Sequence, residues 1–328
     1  MANRPARPAH EGVVTRVEQL TPHMVRVVIG GEAIARIDAG RYTDHYIKVI
    51  FPPAGVVYPE PFDMNAIRET LPRESWPVVR TYTVSKWLPE TAEMWVDFVV
   101  HGDAGIAGPW AARAKPGDVF RFMGPGGGYS PSPEADWHLL AGDESALPAI
   151  NAALAGMPAG ATVRTFIEVD GPDEEQKLDT SSAVTWLHRG ARPVGEALVE
   201  AVRGLEFPAG RVHAFVHGEA GFVRELRGHL RLDRGLTMDQ LSISGYWRRG
   251  LNEDGWQSSK RDWNEQVERE QESASASASA SVPAAAPVPA AAPASASGPG
   301  PASGPASASA SASASASASA SASASASA

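Results

Sequence analysis

The stretch "GPGGGYSPSPEADWHLLAGDESALPAI", residues 124–150, decides the fold because the chain changes its pattern within it. Its first half is rich in Gly, Pro and Ser, a composition typical of a connection between structural units. The run "WHLLAGD" then predicts a short buried strand, and the Ala- and Leu-rich residues 144–157 predict a helix. A strand that leads directly into a helix begins a βα unit. We therefore expect a domain boundary near residues 131–134.

Toward the amino terminus, the pattern is one of short strands. They are rich in β-branched and aromatic residues, and Gly, Pro and charged turns separate them. The six segments are "GVVTRVEQL", "HMVRVVIG", "DHYIKVIF", "VVRTYTVSKW", "EMWVDFVVH" and "DVFRFMG". Six strands at these intervals predict an antiparallel six-stranded β-barrel, which we assign to residues 1–133. The helical segment "AGPWAARA" interrupts the series before the last strand.

Toward the carboxyl terminus, strands alternate with helices. The strands are "TVRTFIEV", "AVTWLHR", "RVHAFVHG" and "MDQLSISGYW", and the later helices are "VGEALVEAVRGL" and "EAGFVRELRGHL". This alternation predicts an α/β domain with a parallel sheet, which we assign to residues 134–250. Ligands of such sheets bind beyond the carboxyl ends of the strands. We therefore expect the working site in a cleft between that edge and the barrel.

The last part of the chain is polar and then loses its charges. Residues 251–271 predict a C-terminal helix that docks through Trp256 and Trp263. From residue 273 onward the chain has no charge and no aromatic ring, and it mostly alternates Ser with Ala. Such a segment cannot bury enough apolar surface to offset the entropy of ordering it. We therefore predict that residues 272–328 form a disordered tail.

The composition excludes several classes of function. A net charge of −9 over 328 residues argues against a nucleic-acid binder that relies on bulk positive potential. The absence of Cys excludes disulfides, thiol redox chemistry and iron–sulfur clusters, so any redox chemistry needs a bound cofactor. The start of the chain lacks the apolar segment of a signal peptide, and no apolar run is long enough to span a bilayer. We expect a cytoplasmic monomer without membrane insertion.

Two segments of the barrel carry residues that suit a flavin. In "RTYTVSKW", residues 80–87, a guanidinium, a phenol ring and small hydroxyl groups lie within four residues of one another. A flavin needs a cation for its phosphates, a flat partner for its ring and a hydrogen-bond donor at its edge. An ordinary half-exposed strand explains so short a pattern equally well. In residues 97–118 a Gly-rich turn leads into a helix start, which suits a pyrophosphate but is also typical of a plain turn and cap.

Two strand-end turns of the second domain suit a dinucleotide. "AGDESALPAI", residues 141–150, places Gly142, Asp143 and Glu144 where a nicotinamide dinucleotide would pass. "VHGEAGFVREL", residues 216–226, repeats the strand–turn–helix pattern. The G-x-G-x-x-G fingerprint of dinucleotide sites is absent. Either turn alone is an ordinary connection, and the two together indicate a nucleotide site at the sheet edge.

With these motifs in order, the chain resembles the siderophore-interacting protein family, flavin-dependent ferric-siderophore reductases of the ferredoxin-reductase superfamily. The resemblance covers most of residues 11–250. Its segments are "HYIKVIFP", "RTYTV", "DFVVHGDAGIAGPWA", "GPGGGYSP", "AGDESALPAI", "VHGEAGFVRELRGHL" and "GYWRRG". The resemblance implies an FAD-binding barrel, an NAD(P)H-binding α/β domain and a ferric siderophore as substrate.

The resemblance also implies roles for individual residues. The residues it assigns to cofactor binding are Arg80, Tyr82, Thr83, His101, Gly102, Ala107, Gly108, Trp110, Asp143, Glu144 and Glu219. Basic residues at the pocket mouth would receive the anionic chelate, and here these are Lys48, Arg248 and Arg249. Two positions depart from the family. Ser85 stands where a second Arg is usual, and Gly126 where some members have a basic residue.

The implied chemistry needs no catalytic side chain and no protein-bound metal, since NAD(P)H supplies electrons in pairs, FAD passes them on and iron(III) accepts one. Other interpretations stay open: a general flavin reductase, a reductase fed by ferredoxin, or a non-catalytic protein that binds flavin and siderophore. Lys48 is also explained as a solvated strand residue, and Arg248 and Arg249 as partners of Glu253 or Asp254. Arg189 could bind the extra phosphate of NADPH or lie on the surface.

Overall fold

A computed structural model describes residues 8–103 and 105–280 of the chain. Within them the strands form two sheets, a closed six-stranded barrel followed by a five-stranded sheet. The predicted fold class is therefore confirmed. The predicted boundary at residues 131–134 falls between the last barrel strand and the first strand of the second sheet. The domain limits themselves stay predictions, and the tail beyond residue 280 lies outside the described residues.

The barrel is built from the six predicted strands, each paired antiparallel with its neighbours in the order β1-β2-β5-β4-β3-β6. The strands are β1 (Ala9–Thr21), β2 (Met24–Gly30), β3 (Tyr46–Phe51), β4 (Val78–Leu88), β5 (Glu93–Val99) and β6 (Val119–Gly126). Apolar residues alternate along them, so Ile47 and Val49 fill the interior while Lys48 between them faces outward. Phe98, Phe120 and related side chains complete this core.

Three short helices accompany the barrel: α1 (Glu32–Arg36), α2 (Met64–Thr70) and α3 (Ala107–Ala111). The predicted helical segment "AGPWAARA" corresponds to α3, which ends at Ala111 and not at residue 114. The Trp110 ring lies 5.6–5.7 Å from the rings of Phe51, Phe98 and Phe120, so α3 packs against the interior of the barrel. This packing fixes the turn between β5 and α3, which the sequence assigns to phosphate binding.

The second sheet is parallel throughout, in the order β11-β10-β7-β8-β9. Its strands are β7 (Trp137–Gly142), β8 (Thr162–Val169), β9 (Val184–His188), β10 (Val212–Glu219) and β11 (Leu241–Trp247). The helices α4 (Leu147–Ala155), α5 (Glu196–Arg203) and α6 (Ala220–Gly228) follow β7, β9 and β10. The strand order reverses between β7 and β10. In α/β sheets such a reversal opens a crevice for ligands at the carboxyl edge.

The connection between β8 and β9 contacts the barrel directly. Glu174, buried in this connection, accepts hydrogen bonds from Thr21 Oγ1 at 2.5 Å and pairs with His23 Nδ1 at 2.7 Å. Lys86 on β4 pairs with Asp179 of the same connection at 3.2 Å. These contacts, together with the packing of α4 against β4, hold the α/β domain on the outer face of the barrel.

The C-terminal helix α7 runs from Glu253 to Ala280. It continues past residue 271, where we expected it to end, because the Ala and Ser residues that follow contain no helix breaker. Trp256 is buried as predicted, and its ring lies so close to Gly245 that a Cβ there would come within 3.0 Å of it. Trp263 packs edge-on to Trp256 at 5.3 Å. In the described residues, no helix has the length and apolar character needed to cross a membrane.

Candidate functional site

Arg80 on β4 is held by the first turn of α7. Its Nη1 donates to Val79 O and to Asp254 Oδ1, both at 2.9 Å, and its Nη2 donates to Asp254 Oδ2 at 3.0 Å. Glu253 Oε2 lies 3.6 Å from Arg80 Nε. The sequence offered Glu253 and Asp254 as partners of Arg248 or Arg249, and the structure pairs them with Arg80 instead.

Tyr82 and Thr83 lie next along β4 and face opposite sides of it. The Tyr82 ring packs 4.3 Å from the Phe98 ring, and burial raises the pKa of its phenol above the ordinary value, so the hydroxyl stays neutral. Thr83 is buried on the other face, close to Tyr246 of β11. The two side chains meet where the barrel adjoins the α/β domain.

The turn between β5 and α3 is open to solvent. His101 and Gly102 are exposed, and the His101 ring lies 6.4 Å from that of His23. Gly102 has φ +59° and Gly105 φ +81°, and nothing lies within 4 Å of a Cβ placed on either. Glycine is needed there because side chains disfavour positive φ. The result is an exposed backbone turn with space for a ligand beside it.

The helix after this turn supports it from the barrel side. Ala107 is buried, and Trp110 is packed among aromatic rings. A Cβ on Gly108 would stand 3.2 Å from Val99 O, so α3 lies closely on the end of β5. These three residues hold the turn in place, and the exposed backbone before them is the part a ligand can reach. An exposed turn, a half-buried neutral phenol and a buried hydroxyl fit the phosphates, ring and edge of a flavin.

Asp143, at the end of β7, joins three strand ends. Its oxygens accept hydrogen bonds from Ser145 N at 3.0 Å, Glu219 N at 2.8 Å and Trp247 Nε1 at 2.8 Å. Burial raises the pKa of this carboxyl to about 6. The residue is 0% exposed. Its side chain therefore organises the sheet edge and offers no surface to a ligand, and its expected position near the nicotinamide stays a prediction.

The Glu219 carboxylate also binds backbone N–H groups at the sheet edge. Its Oε2 accepts the backbone N–H of Gly221 at 2.6 Å and caps α6, and its Oε1 accepts the N–H of Arg249 at 3.2 Å. A side-chain cap of this kind satisfies the free donors at a helix start. Glu219 is buried and fixes the turn between β10 and α6, and it also lines a groove beside α6 and α7. Its expected role in closing a ligand pocket stays a prediction.

Glu144 and Arg189 connect the ends of β7 and β9. Arg189 donates to both oxygens of Glu144, at 2.6 and 3.2 Å, and lies 3.4 Å from Asp170 and 3.6 Å from Glu168. Three carboxylates therefore surround this one guanidinium. Of the two interpretations of Arg189, binding of an NADPH phosphate loses support, because the cation is already neutralised.

The basic residues predicted for the substrate fall into two places. Lys48 Nζ donates to Thr81 Oγ1 at 2.9 Å on the outer face of the barrel. Arg248 and Arg249 are exposed after β11 and line a groove of about 720 Å³ with Trp263, beside α6 and α7. Lys48 does not line that groove. The structure thus does not gather the three residues into one pocket.

Lys260 is a basic residue that the sequence reasoning missed. It is half-buried on α7, and burial together with the nearby charge of Lys48 lowers the pKa of its ammonium group. The two ammonium groups are therefore close enough to repel each other where α7 meets the barrel. A signal was present, because Lys260 lies four residues after Trp256 and shares its helix face. Within residues 8–103 and 105–280, no group of three His, Asp or Glu could hold a metal ion.

Family models match both parts of the chain. Residues 13–129 match the siderophore-interacting FAD-binding domain, and residues 135–250 match the siderophore-interacting protein model. The chain belongs to the siderophore-interacting protein family. The first match covers the barrel and the second covers the parallel sheet, so the predicted family and the predicted FAD-binding domain are confirmed.

Relatives of this siderophore-interacting protein cover nearly the same residues. An uncharacterized protein of Mycobacterium tuberculosis is 44% identical over 78% of this chain and 96% of its own length. The ferric vibriobactin reductase of Vibrio cholerae is 35% identical over 74% of this chain and 90% of its own. Each alignment therefore includes both the barrel and the α/β domain.

Solved structures share the same architecture. A siderophore utilization protein from T. fusca is 36% identical, with a TM-score of 0.65 over 74% of this chain and 94% of that one. The siderophore-interacting protein SipS from Aeromonas hydrophila is 27% identical, with a TM-score of 0.66 over 79% of this chain and 98% of that one. The ferredoxin reductase of a carbazole dioxygenase, at 15% identity and a TM-score of 0.54, shares the fold alone.

Proposed function

We propose that this chain is a flavoprotein that reduces ferric siderophores, with FAD as its cofactor and NAD(P)H as its electron donor. The observation that carries the proposal is the 35% identity to the ferric vibriobactin reductase of Vibrio cholerae over 90% of that protein. The site geometry supports it, because Thr83 of the barrel lies close to Tyr246 on β11 of the parallel sheet.

The barrel holds the flavin in this proposal. FAD accepts an electron pair from the nicotinamide and releases single electrons, which is the chemistry that a hydride donor and an iron acceptor require. Tyr82 offers a neutral ring, and Thr83 offers a hydroxyl that lies beside Tyr246. The exposed turn residues Gly102, Asp103 and Gly105 offer backbone N–H groups to phosphate oxygens, and Arg80 supplies a positive charge.

The α/β domain holds the dinucleotide at the point where the strand order reverses. At the end of β7, a Cβ on Gly142 would lie 2.6 Å from Ala146 Cβ and 2.7 Å from His217 O. Only glycine fits there, so the backbone stays close to the crevice between β7 and β10. Because Arg189 is already surrounded by carboxylates, we propose that the site gains little from the extra phosphate of NADPH.

The substrate side is cationic. Lys48 and Lys260 form one basic pair beside the barrel, and Arg248 and Arg249 form another at the end of β11. Ferric siderophores with catecholate or hydroxamate ligands hold hard iron(III) through oxygen, and iron(II) binds such ligands less well. Electron transfer to the chelate therefore releases the metal without any protein ligand for iron.

Location and assembly are part of the proposal. An enzyme that consumes NAD(P)H needs access to the nucleotide pool of the cytoplasm, where we place it. We propose that it acts as a monomer, which light scattering after gel filtration would test. A ferredoxin is the alternative donor, although the net charge of −9 would repel an acidic ferredoxin.

The test is anaerobic reduction followed by iron trapping. The full chain is loaded with FAD, reduced with NADH or NADPH, and mixed with a ferric tris-catecholate or tris-hydroxamate and an iron(II)-specific dye. We expect the flavin to bleach on reduction and to regain its colour on mixing. The chelate should then release iron(II) in proportion to the flavin that is reoxidised. If only reduced ferredoxin bleaches the flavin, ferredoxin is the donor. If the bound flavin is reduced but never passes electrons to the chelate, the proposed reductase activity is refuted.

A further inference from the structure

The first turn of α7 accepts hydrogen bonds from Arg80 and Thr81 on β4. In the proposed function, Arg80 on this strand binds the phosphates of FAD. Asp254 takes two N–H groups of Arg80, at 2.9 and 3.0 Å. Glu253 Oε1 accepts the backbone N–H of Thr81 at 3.0 Å, and its other oxygen lies 3.6 Å from Arg80 Nε. A guanidinium and an adjacent strand N–H are thus occupied by two carboxylates of the same chain.

Hydrogen-bond geometry limits what else Arg80 can bind. Its Nη1 carries two hydrogens, and both are used, by Val79 O and by Asp254. The guanidinium side chain is only 12% exposed. A phosphate oxygen cannot take the fork that faces Asp254 while that carboxylate stays in place.

The charges lead to the same conclusion. One guanidinium faces two carboxylates, so the cluster is negative when all three groups are ionised. Burial raises the pKa of Glu253, while the Thr81 N–H and the charges of Arg80 and Lys48 oppose that shift. The repulsion between a phosphate and the two acids would weaken binding of a phosphorylated ligand beside Arg80.

The segment that carries these acids is largely exposed. It begins after Gly250, which has φ +82°, and includes the exposed residues Leu251 and Asn252. Its first buried side chain is that of Trp256, which packs against Gly245. Asp254 is 72% exposed on its side chain. The first turn can therefore leave Arg80 while the rest of α7 stays docked.

We propose that Glu253 and Asp254 act as an internal anion that competes with the phosphates of FAD for Arg80 and the Thr81 N–H. By this competition they set how strongly the protein prefers phosphorylated flavins to riboflavin. The inference rests on the proposed function, since it assumes that FAD binds on β4. FAD binding then displaces the first turn of α7, whereas riboflavin, which has no phosphate, leaves it in place.

The first experiment compares flavin affinities. The double variant Glu253→Gln/Asp254→Asn removes both charges in the full chain. Its control, Glu265→Gln/Glu268→Gln, removes two charges from exposed positions of the same helix. Dissociation constants for FAD, FMN and riboflavin are measured by flavin fluorescence. We expect FAD and FMN to bind about tenfold more tightly to the double variant, and riboflavin affinity to change by less than about twofold.

Weaker or unchanged FAD binding by a folded double variant would overturn the inference, because the acids would then hold Arg80 in position for the phosphate. A second measurement does not depend on that variant. The chain has no cysteine, so Gln257→Cys carries a single spin label beside the first turn. Saturating FAD should increase the mobility of the label, and riboflavin should not.

The label measurement also separates the possible failures. An unchanged spectrum with FAD bound would overturn the inference and leave the proposed function intact. If no flavin binds to the unmodified protein at any concentration tested, the proposed function and the inference fail together.

Discussion

His217 is a histidine that the fold keeps neutral at the end of β10. Its ring stacks on Phe215 at 3.9 Å, its Nε2 lies 3.0 Å from Ser242 Oγ, and its Nδ1 has no partner among the described residues. Burial, and to a lesser degree the charge of Lys260, lowers the pKa of this imidazole from 6.5 to about 3. Between pH 6.5 and about 3, the imidazole of His217 therefore binds a proton in the unfolded chain but not in the folded protein.

The first prediction follows from that pKa. The contribution of His217 to stability is complete above pH 6.5 and is lost as the pH falls toward 3. At pH 5 the loss is about 2 kcal/mol. His217→Phe should remove this part of the pH dependence in urea unfolding at pH 7.5 and 5. Ser242→Ala, which keeps the imidazole, should retain it, and an unaltered difference in His217→Phe would show that the ring is not neutral.

Arg189 is the second residue whose surroundings give a prediction. Arg189→Ala leaves Glu144 and the fully buried Glu168 without their cation, so the free energy of unfolding should fall by about 3 kcal/mol. The ratio of kcat/KM for NADPH to that for NADH should stay unchanged. Arg192→Ala, which breaks exposed pairs with Glu196 and Glu200, serves as the control and should change stability little. A selective loss of NADPH turnover in Arg189→Ala would place Arg189 on the phosphate.

For single residues, sequence patterns predict the position of a side chain better than its role. Asp143 and Glu219 were found because they end strands that precede helices, and both do lie at the sheet edge. Their roles as buried acceptors depend on donors such as Trp247, which is 104 residues from Asp143 in the chain. The acids on Arg80 were missed for the same reason, since they are more than 170 residues away. No local pattern carries contacts of that separation.

At the scale of elements, α7 is the part that the sequence described least well. Its Trp residues indicated docking, and Trp256 is buried, but the polar character of residues 251–271 hid its contact with the barrel. The strands were predictable because period-two alternation and β-branched residues mark them. The helix end was misplaced because Ala and Ser prolong a helix that has nothing to stop it.

The prediction at this scale concerns the basic pair that α7 completes. Lys260→Gln and Lys48→Gln should each lower kcat/KM for a trianionic ferric chelate about fivefold at low salt, with FAD content unchanged, because each removes attraction for the anion. The effect should shrink in high salt. Lys177→Gln removes an exposed charge elsewhere and is the control. Equal losses in Lys177→Gln and the two site variants would mean that only net charge matters.

At the scale of the whole molecule, we propose that a closed barrel and a parallel sheet place unlike residues at one cleft. The barrel contributes Tyr82, Thr83 and an open glycine turn, and the sheet contributes the crevice between β7 and β10. The order of the two units was predictable, because a change from strand repeats to strand–helix alternation is visible at residues 124–150. The contacts between the two units were not predictable from the sequence. Glu174, which contacts Thr21 and His23, lies in a connection without a repeating pattern.

The measurement that tests this account most directly is the visible spectrum of the purified chain after it is mixed with FAD and passed through gel filtration. The account predicts that yellow oxidised flavin elutes with the protein in a one-to-one ratio and loses its colour when NADH is added without oxygen. A colourless protein peak, with all the flavin in the small-molecule fraction, would contradict it.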